Sequence, residues 1–132
     1  MALVVLVLGG LGRAAASMPR QTRSLNGGVY TREQADRGAK LYKRFCSECH
    51  QPDEFKGYLR RWVGLPVSYL YDSVRSTMPQ DNPGGLSRKR YADVLTYLFA
   101  INGVPTGEQE MGAEVALLDD ITIEVPADEG LP

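Results

Sequence analysis

Cys46-Ser47-Glu48-Cys49-His50 constrains this chain more than any other stretch, because it holds both cysteines and the only histidine of the 132 residues. Two thiols lie three positions apart at the end of a helical pattern, and an imidazole follows the second thiol directly. A pair of this spacing can close a small disulfide loop or work as a redox C-x-x-C site of the thioredoxin kind. A four-ligand zinc site is poorly served, since Cys46, Cys49 and His50 supply three N/S ligands and no second cluster exists. The full C-x-x-C-H spelling is the attachment pattern of a c-type haem: two thiols bond the two vinyl groups of one porphyrin, and the histidine gives a ring nitrogen to the iron. The inventory suits that chemistry, with no cysteine left for a disulfide elsewhere and no second histidine to compete for the metal.

The length is that of one small domain, and hydrophobic residues at 43% with charged residues at 23% are ordinary for a soluble globular chain. So small a domain buries a limited apolar core. A flat apolar cofactor at its centre is therefore expected to stabilise it, leaving the apo-chain poorly folded. Residues 1–12, Met-Ala-Leu-Val-Val-Leu-Val-Leu-Gly-Gly-Leu-Gly, form an apolar run too short to span a bilayer. Followed by Ala14-Ala15-Ala16, the run reads as a signal peptide over 1–17, although no Lys or Arg precedes it; a buried strand or helix is the alternative. Export to the periplasm, with no membrane span after cleavage, follows from that reading. The net charge of -1 conceals an asymmetry: residues 18–107 carry 14 Lys and Arg against 8 Asp and Glu, whereas residues 108–132 carry 8 acids and no base. The basic residues are dispersed and sit in no nucleic-acid-binding motif.

Residues 18–29 are polar and Gly-containing and read as a linker. Thr31 is a candidate N-cap, with Gln34 at capping-box spacing, for a helix that runs through Phe45 into the C-x-x-C-H motif. Ala35, Gly38, Ala39, Tyr42 and Cys46 share one face of it. An aromatic loop with Phe55, Tyr58 and Trp62 follows, then Pro66 opens a second helix over 67–77. Met78 to Gly85 is turn-rich. Ser87 caps a third helix over 88–101, with Tyr91, Val94, Leu95 and Leu98 facing inward, and Asn102-Gly103 ends it. Residues 108–132 read as an acidic tail in which Asp120 to Val125 alternates like one short strand.

Met78 is the second chemically informative residue. It directly follows a helix, precedes Pro79 and enters a loop containing Asn82-Pro83-Gly84-Gly85, a setting that can hold a thioether rigidly over a haem face. His/Met ligation saturates the iron and raises its potential, which suits electron transfer. Of the other methionines, Met1 is the first residue, Met18 lies at the cleavage region and Met111 lies in the acidic tail.

The order helix–CxxCH, aromatic loop, helix–Met78-Pro79, Pro83-Gly84-Gly85-Leu86-Ser87, then a helix with Tyr91-x-x-Val94-x-x-Tyr97 resembles the class I (mono-haem) cytochrome c family. The likeness covers about residues 29–108 and is strongest to small bacterial cytochromes c that accept electrons from periplasmic dehydrogenases. It implies an all-α cytochrome c fold over 30–107, with three to four helices around one covalently bound haem. It implies thioether attachment at Cys46 and Cys49, His50 as proximal ligand and Met78 as distal ligand. Gly38 and Tyr42 match the positions where the first helix crosses the last, and Tyr97 matches the aromatic packed on that crossing. Trp62 resembles the aromatic near a haem propionate, with a plain core tryptophan as the alternative. One departure stands out: the stretch from His50 to Trp62 is short and lacks the family's proline loop, Pro52 being too close to His50. No carbonyl is thereby named for the Nδ1–H of His50, and a more exposed haem edge is expected on that side.

The function expected is one-electron transfer through a c-type haem, not enzymatic turnover. The partners would be a dehydrogenase donor and a cytochrome or oxidase acceptor. Basic residues such as Lys40, Lys43, Arg60, Arg61 and Arg75 are placed to steer acidic partners. Two other readings remain: a dedicated cytochrome subunit of a larger oxidoreductase, and a haem protein with an open distal site that binds small ligands. For the latter, no distal histidine or nucleophilic cysteine is present to support acid–base work.

Overall fold

The structure, a computed structural model, describes residues 22–124; the expected signal peptide, the first residues of the linker and residues 125–132 lie outside the described residues. The fold is mostly helical, in keeping with the all-α expectation. Among the described residues there are four α-helices, α1 (Arg32–Phe45), α2 (Val67–Thr77), α3 (Arg88–Ile101) and the single turn α4 (Val115–Leu118), with one short 3-10 turn before α1 and two between α1 and α2. Two short strands, β1 (Arg23–Ser24) and β2 (Ile121–Thr122), pair in parallel, Arg23 opposite Ile121.

Each long helix starts where its cap residue puts it. The Thr31 hydroxyl accepts the Gln34 amide at 3.1 Å, Glu33 lies in the first turn of α1 and Lys43 and Arg44 in the last, matching the helix dipole. Ser87 accepts the Arg90 amide at 3.3 Å at the start of α3. The capping box at α1 is only half made. Instead of turning back to Thr31, the Gln34 side chain is buried and clasps the main chain of Met111, donating from Nε2 to its carbonyl at 2.9 Å and accepting its amide at 2.7 Å.

The α1–α3 contact is the centre of the molecule. A Cβ built on Gly38 would lie 1.9 Å from the Asp93 carbonyl oxygen, so only glycine permits the two backbones to meet there. Glycine inside a helix costs about 1 kcal/mol relative to alanine. The apolar groups that the two helices bury, Tyr42 on α1 and Tyr91, Ala92, Leu95 and Phe99 on α3, offset that cost. The Tyr42 and Tyr97 rings meet at a tilt beside the crossing, their centres 5.1 Å apart.

The residues expected to form an acidic tail instead complete the core, at least as far as Glu124. Met111 is buried and Leu118, Ile121 and Ile123 are fully so. The Ile123 amide donates to Leu65 and its carbonyl accepts from Gly64, both at 2.9 Å. The expected linker is likewise tied down from Arg23 onward, with Leu25 fully buried and the Arg23 amide donating to Asp120 at 2.6 Å. Tyr30 donates its phenolic hydrogen to Val104 at 2.6 Å and accepts the Gly107 amide at its carbonyl, also at 2.6 Å. Charge explains the course of this segment as well as burial does. Glu110 reaches Arg37 at 2.8 Å and Lys89 at 3.1 Å, and Glu114 reaches Arg88 at 3.4 Å. Hydrogen bonds from Arg37 and Lys89 hold the Glu110 carboxyl below its ordinary value. Glu110 and Glu114 therefore neutralise bases of α1 and α3 within the same body.

Two outcomes test this packing. Gly38→Ala is expected to lower stability by about 1–3 kcal/mol in chemical denaturation, the usual range for forcing volume into a packed contact. A chain ending at Gly107 removes three fully buried aliphatic side chains and is expected to lose its fixed near-ultraviolet circular dichroism, whereas a detached tail would leave that signal intact.

Candidate functional site

A cavity of about 930 Å³ opens between the C-terminal end of α1 and the loop after α2. That is near the upper end of the roughly 300–1,000 Å³ typical of ligand pockets. Cys46, Cys49, His50 and Met78 all line it, and Val94 and Leu98 of α3 give it an apolar wall. Trp62 does not line it; the indole lies one ring behind, with Tyr58, a lining residue, 6.3 Å from it. The Trp62 indole nitrogen is buried without a partner among the described residues.

The wall bearing the cysteines follows from the end of α1. The amides of Cys46 and Ser47 both donate to Tyr42, at 2.8 and 3.0 Å, and the amides of Cys49 and His50 return to the Cys46 carbonyl at 3.2 and 2.9 Å. This turn stacks the two thiols without joining them; both are free, Cys46 half-buried and Cys49 exposed. Burial pushes the Cys46 thiol above its ordinary value. The Tyr42 hydroxyl donates to the His50 carbonyl at 2.8 Å, and burial pushes that phenol up to about 12. Among the described residues, no group of three or more His, Cys, Asp or Glu side chains is arranged to hold a bare metal ion.

The short stretch after His50, which lacks the proline loop, folds as two consecutive 3-10 turns, Pro52–Phe55 and Tyr58–Trp62. Gly57 joins them at φ 74, a left-handed conformation that glycine adopts without strain. Asn102 fastens this stretch to the end of α3. Its Nδ2 donates to Phe55 at 2.9 Å and to Leu98 at 2.8 Å, and its Oδ1 accepts the Gly57 amide at 2.7 Å. Phe55, so fixed, presents its edge to the His50 ring at 5.5 Å and to Tyr58 at 5.2 Å.

The facing segment is held from α3. Met78 closes α2, its amide donating to Val74 at 2.9 Å. Tyr91 donates its hydroxyl hydrogen to the Met78 carbonyl at 2.7 Å and accepts the Leu86 amide at 3.4 Å, spanning both ends of the 78–86 loop. Turns at Asn82 and Gly85 close that loop internally. Sequence reading places Tyr91 only as a core residue and Asn102 only as a helix stop. Their hydroxyl and amide chemistry was the available signal, but their acceptors are main-chain carbonyls that no side-chain pattern marks.

The donor set and the cavity fit a covalently attached porphyrin: two free thiols one turn apart, an imidazole, a thioether and an apolar wall share one space of sufficient size. Tyr91→Phe is expected to loosen the 78–86 loop by about 1 kcal/mol, seen as amide hydrogen exchange of Leu86 faster by roughly fivefold.

Comparison with family models matches residues 33–98, half of the chain, to the family described as cytochrome c oxidase, cbb3-type, subunit III. No curated protein and no solved structure matches the chain. The matched span runs from the first turn of α1 to the cavity wall of α3 and contains the C-x-x-C-H motif and Met78. The chain therefore belongs to the cbb3-type subunit III family of c-type cytochromes, whose domain carries covalently bound haem with its iron and serves electron transfer.

Proposed function

We propose that the chain is a one-electron carrier in which Cys46 and Cys49 attach the haem, His50 and Met78 are its axial ligands, and the reaction is transfer between docked redox proteins. The observation that carries this reading is that all four side chains line one cavity although Met78 comes from a different helix than the motif. The bound haem supplies one reversible Fe(III)/Fe(II) couple. The chain's own residues do the rest. Tyr42 and Phe55 restrain His50, Tyr91 holds the Met78 backbone, and Val94, Leu98 and Leu86 give the cavity an apolar lining that keeps water away. With both His50 and Met78 holding the iron, no position would remain for a small ligand, which separates a carrier from an enzyme or a gas-binding protein.

The cytochrome domain in this reading spans 30–107, extended by the packed segment to Glu124, after a signal peptide over 1–17 and a linker. Its location is periplasmic, its donor a dehydrogenase and its acceptor a cytochrome or an oxidase. Among the described residues no helix is long and apolar enough to cross a membrane. The family description favours a second reading, residence as a subunit in a larger oxidoreductase. Co-purification of a tagged chain separates the two. An assembly that survives high salt identifies a resident subunit, and release by salt identifies a diffusible carrier held by screened charges.

Optical spectra of the purified protein test the ligands. The ferric form is expected to show the weak sulfur-to-iron charge-transfer band. Met78→Ala should keep the haem attached but lose that band and let the ferrous form take up carbon monoxide; an unaltered low-spin spectrum in Met78→Ala would overturn the assignment. Cys46→Ala and Cys49→Ala should each impair covalent attachment, read by haem staining after denaturing electrophoresis.

A further inference from the structure

A metal-bound imidazole uses one ring nitrogen for the metal, and the other needs an acceptor that fixes the tautomer and the direction of the ring. The sequence names no carbonyl for this purpose after His50. In the structure the acceptor facing Nδ1 is a carboxylate: Glu54 Oε2 lies 3.7 Å from it. The 3-10 turn Pro52–Phe55 puts it there, with the Glu54 amide donating to Gln51 at 3.0 Å. Three main-chain carbonyls of this stretch each accept another donor: that of His50 from Tyr42, that of Phe55 from Asn102, and that of Asp53 from the Lys56 amide. The adjacent lysine is engaged elsewhere, Lys56 pairing with Asp53 at 2.6 Å. Phe55 bounds the imidazole edge-on, which limits its rotation away from Glu54.

We infer that Glu54 is the positioning residue of the axial imidazole, its carboxylate accepting the Nδ1–H of His50 in place of a backbone carbonyl. This inference rests on the reading of His50 as an iron ligand. A movement of under about 1 Å brings the pair to hydrogen-bond length, and the Glu54 side chain, 56% exposed, is free to make it. A hydrogen bond to an ionised acceptor is shorter and stronger than one to a neutral carbonyl. It raises the basicity of the ring as a ligand. A more basic imidazole stabilises the ferric state and lowers the midpoint potential.

The test is potentiometric titration of the full-length holoprotein and of its Glu54→Gln and Glu48→Gln variants. Glu48 lines the cavity and Glu54 does not, so Glu48→Gln removes an equal charge near the haem site without touching the His50 partner. Glu54→Gln is expected to move the ferric-to-ferrous ratio at fixed potential toward ferrous by threefold to tenfold, tenfold being about 59 mV for one electron. Glu48→Gln is expected to move it by less than half as much. Equal shifts in the two variants, or none in Glu54→Gln, would overturn the inference. Ferric electron paramagnetic resonance of the same samples reads the ligand separately. A native spectrum without imidazole on the iron would remove His50 as ligand and the inference with it, while an imidazole-ligated spectrum with an unmoved potential in Glu54→Gln would remove Glu54 alone.

Discussion

The direct meeting of α1 and α3 at Gly38 is the contact on which the rest of the molecule depends. A backbone carbonyl, that of Asp93, occupies the space where a side chain would stand. So close an approach fixes where the last turn of α1 points, and that turn runs straight into Cys46 and His50. It also fixes which residues of α3 form the far wall of the cavity, Val94 and Leu98. The conformational freedom that glycine loses in a helix is a local cost, and the buried aromatic and aliphatic groups around the crossing outweigh it.

The two sides of the cavity are held by different means and from the same helix. On one side Asn102, at the end of α3, ties down the turn that carries Phe55. On the other Tyr91, in its first turns, spans the loop that carries Met78. Both use side-chain polar groups against main-chain carbonyls and amides. The segments bearing Cys46, Cys49, His50 and Met78 are thus positioned through their backbones, and all four residues line the cavity. A site prearranged in this way suits electron transfer, where the ligand set should change little between oxidation states.

Charge asymmetry has a meaning here that composition does not reveal. A basic body and an acidic C-terminal part suggest an extended tail available to partners. In the structure Glu110 and Glu114 meet Arg37, Arg88 and Lys89, and Met111, Leu118, Ile121 and Ile123 of the same segment fill the core. Exposed pairs of this kind contribute little individually. Burial of Leu118, Ile121 and Ile123 supplies the larger driving force, and the ion pairs set the path.

The Gly38 crossing was legible only through the family resemblance, whereas the sequence by itself determined the three long helices, their caps at Thr31 and Ser87, and a set of two thiols, an imidazole and a thioether that points to one cofactor chemistry. Those features are written in short-range patterns, in i, i+3 and i, i+4 spacing or in residues whose chemistry is scarce in the chain. Only the tertiary structure decided that residues 108–124 are core and not tail, that Gln34 serves Met111 and not Thr31, that Trp62 stands behind Tyr58, and that Glu54 faces His50. Each of those outcomes turns on which buried carbonyl, amide or apolar surface is left open after distant segments have packed, and no local pattern records that.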